Sequence, residues 1–277
     1  MTDAADIQPS LFSIGRVIER TFGVVLRHLP VLLFLAILEF TASDVIAWVL
    51  VPGGVQGRFA HLWRTLADFP GLFIGVLLAG AIAHRTFADL NGEKTSLAVD
   101  VGTAIRAFKS LIGVELARLS VVIAGVLVVG IPAALLQHSG ARVPVMLIFG
   151  IIAGVLVVAT MLAWAVAEPA VIAGKLGTIA AFRRSADLTD GYRGHIFGLM
   201  LLLGLCLIVP MAVILLVGGG HWVVDDPTGF ETFRSAVMSF VRTGTWMVSS
   251  VGYAVIYTEL LHIKGETASP PQQMPQP

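Results

Sequence analysis

Charge is scarce in this sequence. Asp, Glu, Lys and Arg make up 13% of its 277 residues, against about a quarter in soluble globular chains. Basic and acidic residues number 18 each and cancel, so no net field points to nucleic acid or to an acidic partner. Cysteine is nearly absent. Cys206 stands alone, which excludes an intrachain disulfide framework and any cysteine-based zinc cluster. Also missing are the His-Glu-x-x-His zinc motif, the Gly-x-Ser-x-Gly nucleophile elbow and the Walker phosphate loop. The chain therefore reads as non-enzymatic, with no cofactor and no metal expected. His221, Asp225 and Asp226 have the chemistry to approach a cation, but Asp226-Pro227-Thr228 reads better as a turn entering a helix.

What is abundant is apolar surface: 56% of residues are hydrophobic and the mean hydropathy is +0.87. A membrane-spanning helix needs about 20 mainly apolar residues to cross a ~30 Å hydrocarbon core. Six windows approach that length, at 31–51, 69–90, 111–136, 143–167, 196–220 and 243–263. Uninterrupted runs such as Leu199 to Val209 do not alternate, as strands of a membrane barrel must. The expected fold is all-α: a polytopic membrane protein of six spans with cytoplasmic amphipathic helices. A polar segment, 1–9, precedes the membrane domain, 10–264, and a proline-rich tail, 265–277, is expected to be disordered.

Most loop lysines and arginines fall on one side when the N-terminus is placed inside. Arg16, Arg20, Arg27, Arg85, Lys94, Arg106, Lys109, Lys175 and Lys264 share that side. The positive-inside rule then puts both termini in the cytoplasm. Residues 1–29 lack the features of a cleavable signal. Instead Ile14, Val17, Ile18, Phe22, Val25 and Leu29 share one helical side, predicting an interfacial helix capped by Ser10. Gly71, Gly75, Ala79 and Ala83 form a small-residue ridge suited to close helix contact, and Gly150 with Gly154 repeats the spacing. Three helical-hairpin units, roughly 10–90, 96–168 and 173–263, share basic amphipathic starts and late prolines at 52, 132 and 210. Internal repeats of that kind are compatible with transport.

Several short motifs occur in a recognisable order. They are Phe12-Ser13-Ile14-Gly15, Ala88-Asp89-Leu90-Asn91-Gly92, Glu168-Pro169, Ala181-Phe182-Arg183-Arg184-Ser185, His195-Ile196-Phe197-Gly198 and Tyr257-Thr258-Glu259-Leu260. In that order, from residue 10 to 264, the chain resembles the bacterial membrane domain associated with glycerophosphoryl diester phosphodiesterases, together with related inner-membrane families of unknown function. Ala186 departs from the aromatic residue usual there, and Glu259 replaces a frequent Asp. In the phosphodiesterase fusions, hydrolysis belongs to a separate barrel of about 250 residues, for which this chain has no room. The resemblance thus implies a bacterial inner-membrane protein with an envelope or lipid role, and no hydrolytic activity.

Two groups of charged residues stand out as candidate sites. An ionised side chain inside hydrocarbon costs at least ~2.5–3.5 kcal/mol on insertion scales, so Glu39, Glu115 and Arg118 require partners. Glu39 and Arg118 fall at similar depth, and Glu115 is three residues from Arg118. The expected cluster is a polar clamp between helices, with a proton or substrate pathway as the alternative. Asp44, five positions from Glu39, falls on another side of the helix. The second group, Lys175, Arg183, Arg184 and Arg193, is suited to anionic lipid headgroups or a cytoplasmic partner, while also fixing topology. The alternative to a lipid or envelope role is a small transporter or channel that uses the intramembrane charges.

Overall fold

The computed structural model describes residues 12–50, 60–136, 139, 142–205, 209, 212 and 227–265. Every regular element among them is an α-helix, and no strand occurs among the described residues. In chain order they are α1 (Ile14–Arg27), α2 (Leu29–Leu50), α3 (Ala60–Leu90), α4 (Leu97–Leu135), α5 (Arg142–Ala163), α6 (Ala167–Gly174), α7 (Thr178–Thr189), α8 (Arg193–Leu205) and α9 (Pro227–Ile263). The polar segment 1–9, Ser10, most of the 196–220 window beyond Leu205, the outer-loop residues His221, Asp225 and Asp226, and the tail from 266 onward lie outside the described residues. The side chain of Asp44 is likewise outside them.

Helix α1 begins with Ser13, whose side chain accepts the Arg16 amide at 3.4 Å, satisfying one of the four orphan amides of a helix start. This cap lies three residues after the one expected from sequence. Val17, Thr21, Val24 and Val25 form the buried stripe of α1. A turn at His28 swings the chain by 82° into the first part of α2, and Pro30 occupies the first turn of α2, where a missing amide costs nothing. The sharp bend and the one-sided burial match an interfacial helix meeting a span.

Helix α3 is central. Val76, Leu78, Ala79, Ala81, Ile82 and Ala83 are buried, and α3 packs on α2, α4, α6 and α9. The tight approach falls at Gly80, beside the expected ridge of Gly71, Gly75, Ala79 and Ala83, while a Cβ at Gly75 would meet only Glu39 at 3.9 Å. A Cβ at Gly80 would stand 2.7 Å from Leu111 Cδ1 and 3.2 Å from Ala104 Cβ. By contrast Gly150 and Gly154 face open space, and α5 meets α4 through Gly125, whose Cβ would lie 2.7 Å from Val157 Cγ2. The close helix contact expected at Gly150 and Gly154 is therefore made from the other partner.

Helix α4 has 39 residues and is about 58 Å long at 1.5 Å per residue, nearly twice a hydrocarbon core. The basic amphipathic start and the span expected after it are one continuous helix. Three helices are long and apolar enough to cross a membrane, within Gly71–Leu90, Leu97–Leu135 and Val143–Gly174, and the bent α1–α2 pair makes up to four. Only 6% of the apolar window in α4 and in α5–α6 is buried, against 61% in α3. The side chains of Val122, Val126, Leu147, Ile151 and Val155 stand exposed, an arrangement that water penalises and lipid does not. These helices suggest a membrane-embedded protein. The C-terminal window, 243–263, falls in α9, where Thr243, Thr245, Ser249, Ser250, Gly252, Tyr253 and Thr258 dilute the apolar content. The apolar residues of α9 that remain, including Val251, Val255, Ile256 and Leu260, are turned into the bundle.

Candidate functional site

The polar chemistry is concentrated at the end of the bundle that carries the α3–α4 turn. Glu259 of α9 has no exposed surface, and accepts from Arg16 at 2.7 Å and Arg20 at 2.9 Å. Asp89, near the end of α3, pairs with Arg27 at 2.6 Å and with His28 at 2.8 Å. Asp100 is buried in the first turn of α4, where a carboxylate suits the helix dipole. It receives Arg85 at 2.6 Å, His84 at 2.7 Å and the Thr95 hydroxyl at 2.8 Å. Each carboxylate joins a different pair of elements. Phe12 adds an apolar tie, its ring centroid 6.0 Å from Tyr192 and 5.9 Å from His195. In sequence these bases read only as orientation signals; their acidic partners lie 15 to 243 positions away.

Further along the same helices lies a second polar group. Arg118 Nη1 bonds the carboxylate of Glu168 on α6 and lies 3.5 Å from Glu115 Oε2, while Nη2 donates to the Trp164 carbonyl at 2.7 Å. Trp164 belongs to the three-residue break between α5 and α6, which α7 ties off. Ser185 accepts the Val166 amide at 3.2 Å and donates to the Ala163 carbonyl at 2.8 Å, and Phe182 packs on Trp164 with centroids 4.2 Å apart. The break is what turns Glu168 toward Arg118. Glu39 borders the same space, with Oε1 3.9 Å from where a Gly75 Cβ would be. A cavity of about 460 Å³ is lined by Glu39, Glu115, Arg118 and Glu168, with Arg242, Ser249, Ser250 and Tyr253 opposite. Glu168 was missed from sequence because it lies one residue past the window ending at 167. The Glu-Pro pair following a tryptophan was the available signal.

The members of the other expected group, Lys175, Arg183, Arg184 and Arg193, have separate surroundings. Arg184 turns toward the Tyr257 hydroxyl. Arg193 lies 3.8 Å from Asp190 within its own turn, and Arg183 is exposed on α7. Lys175 caps α6 in the left-handed region, at φ 50°, a conformation that costs a residue bearing a Cβ. That turn places it at a different opening, a cavity of about 770 Å³ shared with Arg106, His84, Asn91, Glu93, Thr103, Ser110 and Thr258. Phe87, Val171, Ile172 and Leu176 supply its apolar wall. In sequence Arg106 reads only as a topology signal, since the cavity it shares with Lys175 depends on the α6–α7 turn.

These features define an all-helical chain with helices fit to cross a membrane and two polar cavities along shared helices. No protein-family model, no curated protein and no solved structure matches it.

Proposed function

We propose that the chain is a non-enzymatic, six-span protein of the bacterial inner membrane, with both termini cytoplasmic, that serves lipid or envelope homeostasis by binding anionic phospholipid. The observation carrying this reading is the 770 Å³ cavity, which joins Arg106 and Lys175 at its polar rim to Phe87, Val171 and Leu176 in its wall. Guanidinium and ammonium groups attract a phosphodiester, with about 1 kcal/mol per basic residue near an anionic leaflet. The adjoining wall accepts the first methylenes of acyl chains. The resemblance to the phosphodiesterase-associated membrane domain points to the same lipid role.

Gently extracted protein analysed by native mass spectrometry should retain phosphatidylglycerol in preference to phosphatidylcholine. The Arg106→Ala/Lys175→Ala double variant should lose that preference by roughly thirtyfold, the effect of about 2 kcal/mol. Equal retention by both proteins would remove this cavity as the lipid site. A small transporter or channel is the second reading, favoured by the Glu39, Glu115 and Arg118 carboxylates and guanidinium around the 460 Å³ cavity. Ion or solute flux through purified protein in vesicles, lost on Glu39→Gln with lipid retention unchanged, would favour it instead.

A further inference from the structure

Resting on the lipid-binding reading above, we propose that the two cavities are successive stations for one anionic phospholipid headgroup, and that the apolar layer around Leu111 is the gate between them. Both cavities are built on α3, α4, α6 and α9. The last lining residue of one and the first of the other are Ala79 and His84 on α3, Ser110 and Glu115 on α4, and Tyr253 and Thr258 on α9. Five positions separate each pair, and on α6 three positions separate Glu168 from Val171. At 1.5 Å per residue the barrier is about 5–8 Å thick on every wall. Four helices agree on one thin layer.

That layer is closed by side-chain ends rather than by backbone. Leu111 is fully buried and Ile172 is 5% exposed. Their terminal methyl groups lie 2.7 Å and 3.4 Å from where a Gly80 Cβ would be, so the absence of a side chain at Gly80 lets them meet. We assign the opening to rotamer changes of Leu111 and Ile172, within a layer that also holds the buried Ile82 and Val114. Beyond the layer, Arg118 presents a planar fork that a phosphate would take in exchange for the carboxylates of Glu168 and Glu115 that now hold it, in a cavity that Glu39 also lines. Ser249 and Ser250 offer hydroxyls across from it. A headgroup leaving the rim at Arg106 and Lys175 thus meets a second phosphate-binding group about one turn past the barrier, while its acyl chains remain among apolar side chains.

The test uses the full chain reconstituted in phosphatidylcholine vesicles carrying a trace of acyl-labelled fluorescent phosphatidylglycerol, with dithionite added outside to quench the accessible label. Leu111→Ala and Ile172→Ala should each speed quenching of the inner-leaflet label over the wild type by about tenfold, the effect of a barrier lowered by about 1.4 kcal/mol. Arg106→Ala/Lys175→Ala should slow it for labelled phosphatidylglycerol and leave labelled phosphatidylcholine unchanged. Quenching at the protein-free rate for the wild type and both gate variants, with each protein folded by size-exclusion profile, overturns the proposal. Should native mass spectrometry still find phosphatidylglycerol bound, the lipid-binding reading stands and only the path fails; absence of binding as well removes both. Release of entrapped inorganic phosphate from Leu111→Ala vesicles, with the lipid label static, would assign the phosphate chemistry to a soluble anion and likewise overturn the lipid path.

Discussion

Glu259 has no exposed side-chain surface, while its partners Arg16 and Arg20 are 43% and 46% exposed. The pair is therefore lopsided. Removing the arginines leaves a carboxylate buried and unpaired, whereas replacing the acid leaves two cations that reach water. Breaking a buried pair by stranding its charge costs about 3–5 kcal/mol, and losing a single charged hydrogen bond about 1.5–3 kcal/mol. Arg16→Ala/Arg20→Ala should accordingly lower the thermal stability of the purified protein more than Glu259→Gln does. Thermal unfolding in one detergent checks the order, and the reverse order would mean that the buried acid is not sustained by these two arginines. At this scale the sequence was only partly legible. Glu115 and Arg118 declared themselves because charges inside an apolar run are rare, and the structure brings them within 3.5 Å. Asp89, Asp100 and Glu259 did not, since an acid near a predicted loop looks solvated until distant helices are assembled around it.

At the scale of elements, the break after Ala163 governs the 460 Å³ cavity. Helix α5 ends there, its Thr160 and Leu162 carbonyls met by backbone amides of the break and its Ala163 carbonyl by Ser185 and Thr189 of α7. Ser185 also receives the Val166 amide. Without that hydroxyl the buried Val166 amide loses its partner, at about 1–3 kcal/mol, and the Ala163 carbonyl keeps only Thr189 at 3.4 Å. Ser185→Ala should raise hydrogen exchange across 163–170 and leave α1 and α9 protected, as read by mass spectrometry of the intact chain. Unchanged exchange across that segment would show that Arg118 and Phe182 suffice to hold the break. The same region explains why one motif stood out in the sequence. In Ala181-Phe182-Arg183-Arg184-Ser185, Ala181 is buried, Phe182 packs on Trp164, Arg184 faces Tyr257 and Ser185 closes the break. The order of residue types was visible. Their target was not, because periodicity locates helices and says nothing about where an apolar run will interrupt itself. Gly113 marks the same docking: a Cβ there would fall 3.2 Å from Thr178 Cβ and 2.3 Å from its hydroxyl, so α7 seats on α4 only where that side chain is absent.

For the whole molecule, the question is which helices cross together. Length and apolarity qualify α4 by themselves, but α9 must be argued from its neighbours. Trp246, Ser250 and Tyr253 line the same cavity as Gly71, Gly75 and Arg118, and Thr258 reaches the one that His84 and Arg106 border. Helices α3 and α9 therefore run side by side over the same depth, and if α3 lies in a membrane then the last part of α9 does too. Its Ser, Thr and Tyr residues are tolerable there because they face protein and a polar cavity rather than hydrocarbon. Hydropathy alone undervalues such a helix, which is why the expectation of a span at 243–263 and the apolarity of α9 diverge. A crossing α4 also requires its two ends to face opposite compartments. Starting from Cys206→Ser, single cysteines at Glu93, Gly177 and Gly265 should react with an impermeant maleimide only after the cytoplasmic face is opened. Cysteines at Gln56 and Ser139 should react in intact cells whose outer membrane has been permeabilised. Labelling of Glu93→Cys and Ser139→Cys from one side would mean that α4, despite a length of about 58 Å, returns without crossing. The lipid path would then lose the depth that its two cavities need.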